Sequence, residues 1–211
     1  MLVRMLLAID TSAGCEAAVV DADGRVLAAW RRDDARGHAE AIGIAIRACL
    51  EEAGLEPSAI REVVAGIGPG PFTGLRVGVA AARAFALAIG VPCTAIPSHD
   101  AIAREHRAAH PEHDVPILVL TDARRRQLAA SRYVPGSPAA AEAPVLVAAA
   151  EADALLAPGE TRVDASRVDA AQLALALLDR RAAGIPDATG ELLYLRVPDA
   201  IPSAGPKRVS A

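Results

Sequence analysis

Aromatic residues and lysine are scarce in this sequence. Aromatics make up 2% of its 211 residues, so any core must be packed mostly with Ala, Val, Leu and Ile. Lys207 is the only lysine, and the basic residues are otherwise arginines. With a formal net charge of -4, the chain lacks the clustered basic surface needed to grip nucleic acid unaided. Its three cysteines, Cys15, Cys49 and Cys93, are far apart and form no Cys-x-x-Cys, which points away from a zinc site and from a disulfide framework. Cys49 and Cys93 sit in apolar surroundings and read as small core residues. The opening run MLVRMLLAID ends its apolar stretch at Asp10, too short for a signal peptide. No stretch reaches the roughly twenty apolar residues of a bilayer span. A cytoplasmic protein without a membrane partner is the expectation.

What is present in abundance is small apolar residues, and they concentrate between Val63 and Gly90. An apolar run (63–67) breaks at the glycines and prolines of GIGPGP and resumes as a helix over 74–90. Strand, glycine-rich turn and helix in that order make a local architecture that holds anions on backbone N–H groups. It lacks the Gly-Lys-Ser/Thr of a P-loop and does not fit Gly-x-Gly-x-x-Gly. The helix carries only Arg76 and Arg83 as polar side chains, seven residues apart and so on one face. Gly74, Gly78 and Ala82 repeat at four-residue spacing, which permits close backbone approach. A helix apolar nearly all round is covered on more than one side, either by its own sheet and helices or by a second chain.

Along the chain, strands are expected over 2–10, 15–21 and 25–32, the last two joined by the hairpin signal Asp23-Gly24. A polar linker (33–37) leads to a helix over 38–54 with a double apolar stripe and a glycine stop. Then come the strand at 63–67, the helix already described, a strand at 91–96, and a helix to about Ala109 capped by Ser98-His99-Asp100. This β-β-β-α-β-α-β order is that of a ribonuclease H-like, or actin-like, half-domain. Residues 110–116 read as a boundary. The stretch 116–134 then repeats strand, aspartate turn (Asp122) and strand, suggesting a second, shortened copy. A strand near Val145, a short helix around 152–156, a strand at 162–166 and a helix over 170–184 follow, with a mobile tail from Pro198. Two domains result, 1–109 and 110–211.

Candidates for chemistry are few. Asp10, Thr11 and Ser12 make either a metal- or phosphate-facing turn or a polar turn with its hydroxyls on backbone donors. His38 and Glu40 lack the further ligands that a metal site collects, and no Ser-His-Asp arrangement can be argued. Arg124-Arg125-Arg126 is either a solvated turn or an RNA contact. Arg76, at the positive end of a helix dipole, calls for a carboxylate within salt-bridge reach, Asp10 or Glu40.

LLAIDTS (6–12), HAE (38–40), GIGPGPFTGLRVG (66–78), TDARRRQLAASRY (121–133) and LYLRVPDA (193–200) together resemble the TsaB (YeaZ) family. Pro71 departs from that pattern, standing where a serine is usual, and 135–165 diverges. The resemblance implies an α/β, actin-like (ASKHA) fold of two lobes with a reduced C-terminal lobe. It implies an accessory role without catalysis in threonylcarbamoyladenosine formation on tRNA. The chain would dock onto a TsaD-like paralogue, with a TsaE-like ATPase joining, and would form a homodimer in isolation. ATP and a divalent metal would belong to the partner complex, and tRNA would be met through it. The interface is expected on helices 38–53 and 74–90, at Ala41, Ile44, Ala48, Leu75, Val79, Ala82 and Arg83. The phosphate-facing candidates are Asp10, Thr11, Ser12, Gly68, Gly70 and Thr73. The rival reading is an actin-like phosphotransferase or nucleotide hydrolase using the same loops.

Overall fold

The computed structural model describes residues 4–32 and 41–195 in full and the backbone of 38–40. The linker 33–37, the side chains of His38 and Glu40, and the tail that includes Pro198 lie outside the described residues. The chain begins with strands β1 (Met5–Asp10), β2 (Cys15–Asp21) and β3 (Val26–Arg32), an antiparallel meander. Helix α1 (His38–Ala53) leads to β4 (Ile60–Gly66), α2 (Phe72–Ile89) and β5 (Cys93–Ile96). The strands line up as β3-β2-β1-β4-β5, with β1, β4 and β5 parallel. This is the ribonuclease H-like, actin-like order.

After α3 (Ser98–Ala109) the chain repeats itself. Strands β6 (Ile117–Asp122), β7 (Gln127–Tyr133) and β8 (Val145–Ala148) form a second meander. A 3₁₀ segment (Ala149–Leu155) follows, then β9 (Thr161–Ala165), parallel to β6, and α4 (Ala170–Ala182). The second order, β8-β7-β6-β9, is the first with its last strand removed. The aspartate echo has the same geometry in both copies. Asp10 Oδ1 accepts from the Ser12 N–H at 2.7 Å, and Asp122 Oδ1 accepts from the Arg124 N–H at 2.9 Å.

The strand at 5–10 reads as an unbroken apolar run because both its faces are covered. Leu7 and Ile9 point to α1 and α2, while Leu6 and Ala8 point to a second core with α3, α4 and the second sheet. The two sheets divide at the polar stretch 110–116, but α4 packs back onto β1 and β2 of the first. One core therefore runs through both lobes. Helix α2 is 18 residues long with a mean hydropathy of 1.5, enough by length and composition to cross a bilayer. Gly74, Leu75, Gly78, Val79, Ala82 and Ala86 are buried, packing it on the sheet as a core helix. It stops at Gly90, whose φ of 71° makes the left-handed cap that glycine adopts without strain.

Ion pairs on buried carboxylates tie the lobes. Glu62 on β4 accepts from Thr94 Oγ1 at 2.6 Å, from both terminal nitrogens of Arg181 on α4 at 2.7 and 2.9 Å, and from Arg4 at 2.8 Å. Burial pushes this carboxyl up, and the Arg181 and Thr94 donors overcome that and hold it below the usual range. Ser98, His99 and Asp100 do not cap α3, whose N-cap is Pro97 without a side-chain bond. They are buried instead. His99 bridges Ser131 Oγ and Thr121 Oγ1, each at 2.8 Å. Asp100 accepts from Tyr133 at 2.8 Å and from Arg180 at 2.7 Å. Burial alone takes the His99 pKa down to about 3, so the ring is neutral.

Candidate functional site

The turn after β1 is built around Asp10. Its Oδ1 accepts from the Ser12 N–H and from Ser12 Oγ at 2.6 Å, and its Oδ2 accepts from Ser98 Oγ at 2.5 Å. Ser98 Oγ in turn accepts from the Gly68 N–H at 3.0 Å, and the Gly68 carbonyl accepts from the Ser98 N–H at 2.7 Å. Thr11 Oγ1 donates to the Gly74 carbonyl at 2.7 Å. The glycines are the other half of this arrangement. A Cβ on Gly66 would lie 1.8 Å from Asp10 Oδ2, and one on Gly70 would lie 2.7 Å from the Ser12 carbonyl. On Gly78 it would lie 2.1 Å from Thr11 Oγ1.

This corrects the expectation of an open, phosphate-facing cradle. Asp10, Thr11 and Ser12 are buried, and the loop carrying Gly68 and Gly70 closes down on them. Of those candidates Thr73 is exposed, in the first turn of α2. That helix starts at Pro71 with no side-chain cap. Among the described residues no three His, Cys, Asp or Glu side chains are grouped to hold a metal ion. Of the Gly74–Gly78–Ala82 ladder, Gly74 and Gly78 serve this approach to Thr11, and Ala82 is buried in the core of the first lobe.

Glu16, on β2, is with Glu62 a buried titratable group that sequence reading missed. It is buried at the start of α4, accepting from the Ala170 N–H at 3.3 Å. Burial, and then the Asp169 charge, push its pKa up to about 8 against the pull of Arg167. The only clue in the sequence is its place in an apolar strand. Cys15 and Cys49 are pushed up by burial to about 11 and about 12, which leaves them unreactive core thiols.

The second candidate surface is the outward side of α1 and α2. The structure corrects four of the expected interface positions: Ala41, Leu75, Val79 and Ala82 are buried in the chain's own core. On α1 it is Ile44 that stands out, 49% exposed, with Gly43 exposed and Ala48 half-buried beside it. On α2 the exposed residues include Ala80, Ala84, Ala88 and Leu87, the last at 83%. Between the helices a groove of about 490 Å³ is lined by Ile46, Leu50, Leu55 and Phe85.

Arg76 and Arg83 do share a face, and that face carries the 185–194 segment. Arg83 donates to the Gly190 carbonyl at 2.8 Å, and Arg76 Nε donates to the Tyr194 hydroxyl at 3.0 Å. The side chain of Glu40 lies outside the described residues, and among those described Arg76 meets rings in place of the expected carboxylate. Its guanidinium lies 3.8 Å from the centre of the Phe72 ring, which packs on Tyr194 at 4.8 Å. Asp10 is engaged elsewhere, as described. Leu193 N–H donates to the Ile67 carbonyl, closing the strap over the glycine loop.

Residues 32–182 match the family model described as TsaD: tRNA N6-adenosine threonylcarbamoyltransferase. The chain belongs to the TsaD/TsaB (YeaZ) family. An uncharacterized protein of Mycobacterium tuberculosis is 38% identical over 185 residues, 81% of each chain. The tRNA threonylcarbamoyladenosine biosynthesis protein TsaB of Bacillus subtilis is 28% identical over 128 residues, 61% of this chain and 54% of that one. The solved structure of YeaZ from Pseudomonas aeruginosa superposes with a TM-score of 0.74 at 22% identity, over 91% of this chain and 100% of that one. The two share one fold, the actin-like pair of lobes with the second reduced.

Proposed function

We propose that this chain is a non-catalytic subunit in the making of threonylcarbamoyladenosine in tRNA, and that it docks onto and activates a TsaD-like paralogue. The observation that carries the reading is the outward half of α2. Ala80, Ala84, Leu87 and Ala88 stand in solvent on this helix, flanked by the exposed Arg76 and Arg83 that hold the 185–194 segment, and Ile44 of α1 is exposed as well. Apolar helix faces of this kind mark protein interfaces. The occupant is the paralogue, and a second copy of this chain takes its place when the paralogue is absent. ATP, a divalent metal, a TsaE-like ATPase and tRNA belong to the assembled cytoplasmic complex.

The test is the mass of the species formed when the purified chain meets its TsaD-like paralogue at micromolar concentration. A particle of the summed mass supports the reading, and two separate species overturn it. The rival phosphotransferase reading draws no support from Asp10, whose carboxylate oxygens both serve the fold. Nucleotide turnover by the chain alone with magnesium, lost in Asp10→Ala, would reinstate it.

A further inference from the structure

Arg180 on α4 is a charged side chain that the fold buries without fully using. It is 7% exposed. One terminal nitrogen donates to Asp100 Oδ2 at 2.7 Å, and the other donates to the Pro186 carbonyl at 3.0 Å. The Nε–H, buried with them, has no acceptor among the described residues. A buried donor on a charged group keeps its desolvation cost until an acceptor meets it. Asp100 is taken up elsewhere: its Oδ1 accepts from the Tyr133 hydroxyl at 2.8 Å, and its carboxylate also accepts from the Ala140 backbone.

Arg180, Asp100, Ser131 and Tyr133 form the buried polar floor of a cavity of about 430 Å³ between the lobes. Its walls are aliphatic, from Pro69 and Pro97 of the first lobe and from Ile185 and Leu193 of the strap. At its mouth stands the exposed Glu142, on the loop after β7. The size is that of a small-molecule pocket. The lining carries one positive charge, Arg180, against two negative ones, Asp100 and Glu142. An anion with no compensating group, a phosphate above all, is therefore repelled. A nucleotide is disfavoured further, because the glycine loop that would meet its phosphates is filled by Asp10. A zwitterion suits both ends, with a carboxylate for the Arg180 Nε–H, an ammonium for Glu142, and a short aliphatic side chain against the walls.

We propose that this cavity binds a small aliphatic α-amino acid, carboxylate inward. None of its described lining comes from α1 or α2, so the site stands or falls apart from the docking proposed above.

The test uses valine as the probe, titrated into the full chain by calorimetry and followed on the NMR signal of the Arg180 Nε–H. A saturable shift of that signal is expected, with a Kd of about 1 mM or tighter. Valinamide, which lacks the carboxylate, should bind at least about tenfold more weakly. N-acetylvaline, which lacks the ammonium, should bind about twofold to fivefold more weakly. Arg180→Lys would also loosen the Asp100 tie, so the variant used is Glu142→Gln, at an exposed position. It should leave the fold intact and weaken valine by the same twofold to fivefold or so. An Nε–H signal unmoved by valine at about 10 mM would mean a cavity holding only water, and overturns the proposal. So does valinamide binding as tightly as valine, or an equal shift with sodium chloride, which would mark an adventitious ion only.

Discussion

The face assignment of α2 can be tested with two leucines twelve residues apart on the same helix. Leu87 is 83% exposed and Leu75 is fully buried. Burying a leucine side chain contributes about 1.5–3 kcal/mol, nearly all of it still available at Leu87 in the free chain. Leu87→Ala should therefore weaken paralogue binding by about 2 kcal/mol, a Kd ratio of roughly thirty. Leu87→Asp would bury an unpaired carboxylate, which costs several kcal/mol more and should abolish the complex. Neither change should move the chain's own stability by more than about 0.5 kcal/mol. Leu75→Ala should do the reverse, lowering stability by about 2–5 kcal/mol, since Leu75 packs under the loop at Gly68. Urea melts give the stabilities and calorimetric titration gives the affinities. Wild-type affinity in Leu87→Asp, or a stable Leu75→Ala chain that no longer binds, would refute the assignment.

Gly78→Ala should destabilise the chain by more than about 1 kcal/mol, because the new methyl meets Thr11. Gly43→Ala, with nothing near its Cβ, should raise stability by about 0.5–1 kcal/mol in the same melts. Arg126→Gly should also raise the melting temperature, by relieving a left-handed residue at φ 58° worth about 1 kcal/mol. The pH dependence of stability has two opposed limbs. Glu16, at about 8 when folded against its ordinary 4.5, keeps its proton in the native state, so stability falls as pH rises through that window. His99, at about 3 against 6.5, loses stability as pH falls from 6.5. Between 4.5 and 6.5 the two slopes, about 1.4 kcal/mol per pH unit each, cancel to a plateau. Glu16→Gln should remove the alkaline decline, and a chain still losing stability at the same rate would show that Glu16 is not its source.

The strand order, the glycine stops and the shortened second copy are legible because each is written locally, in period-two and 3.6-residue patterns and in turn residues. The outward side of α2 is not. A helix of Ala, Gly, Val, Leu and Phe shows little polar edge beyond Arg76 and Arg83, and one of the contacts on its buried side comes from Thr11, sixty-three residues before Gly74 in the sequence. Arg76 does take a partner, as its place at the helix start requires, but Tyr194 is 118 residues away and among the described residues rings serve where a carboxylate was expected. Helix α4 shows an amphipathic stripe in sequence, yet nothing local says that the stripe returns to the first sheet. The triplet Ser98-His99-Asp100 reads as a cap because its residue types favour caps. Burial between the lobes turns it into a tie instead, through His99 to β6 and β7 and through Asp100 to Tyr133 and Arg180.

The glycine loop shows the same effect at its strongest. In the sequence it looks like a cradle waiting for an anion, because glycines are what let backbone approach a phosphate. In the fold the acid that comes close is Asp10 itself, admitted by the missing Cβ of Gly66 and held by Ser12 and Ser98. Strap residue Leu193 then seals the loop through the Ile67 carbonyl. The anion site is thus filled from within, by a carboxylate of the same lobe, and the conformational freedom of the loop is taken up in joining β1, β4 and α2. Opening it to an outside phosphate would require breaking the Asp10–Ser98 bond and leaving a buried carboxylate short of a donor, a cost of about 1–3 kcal/mol or more for a charged group. That cost sets this turn apart from the exposed faces of α1 and α2, which can meet a partner with no rearrangement of the core.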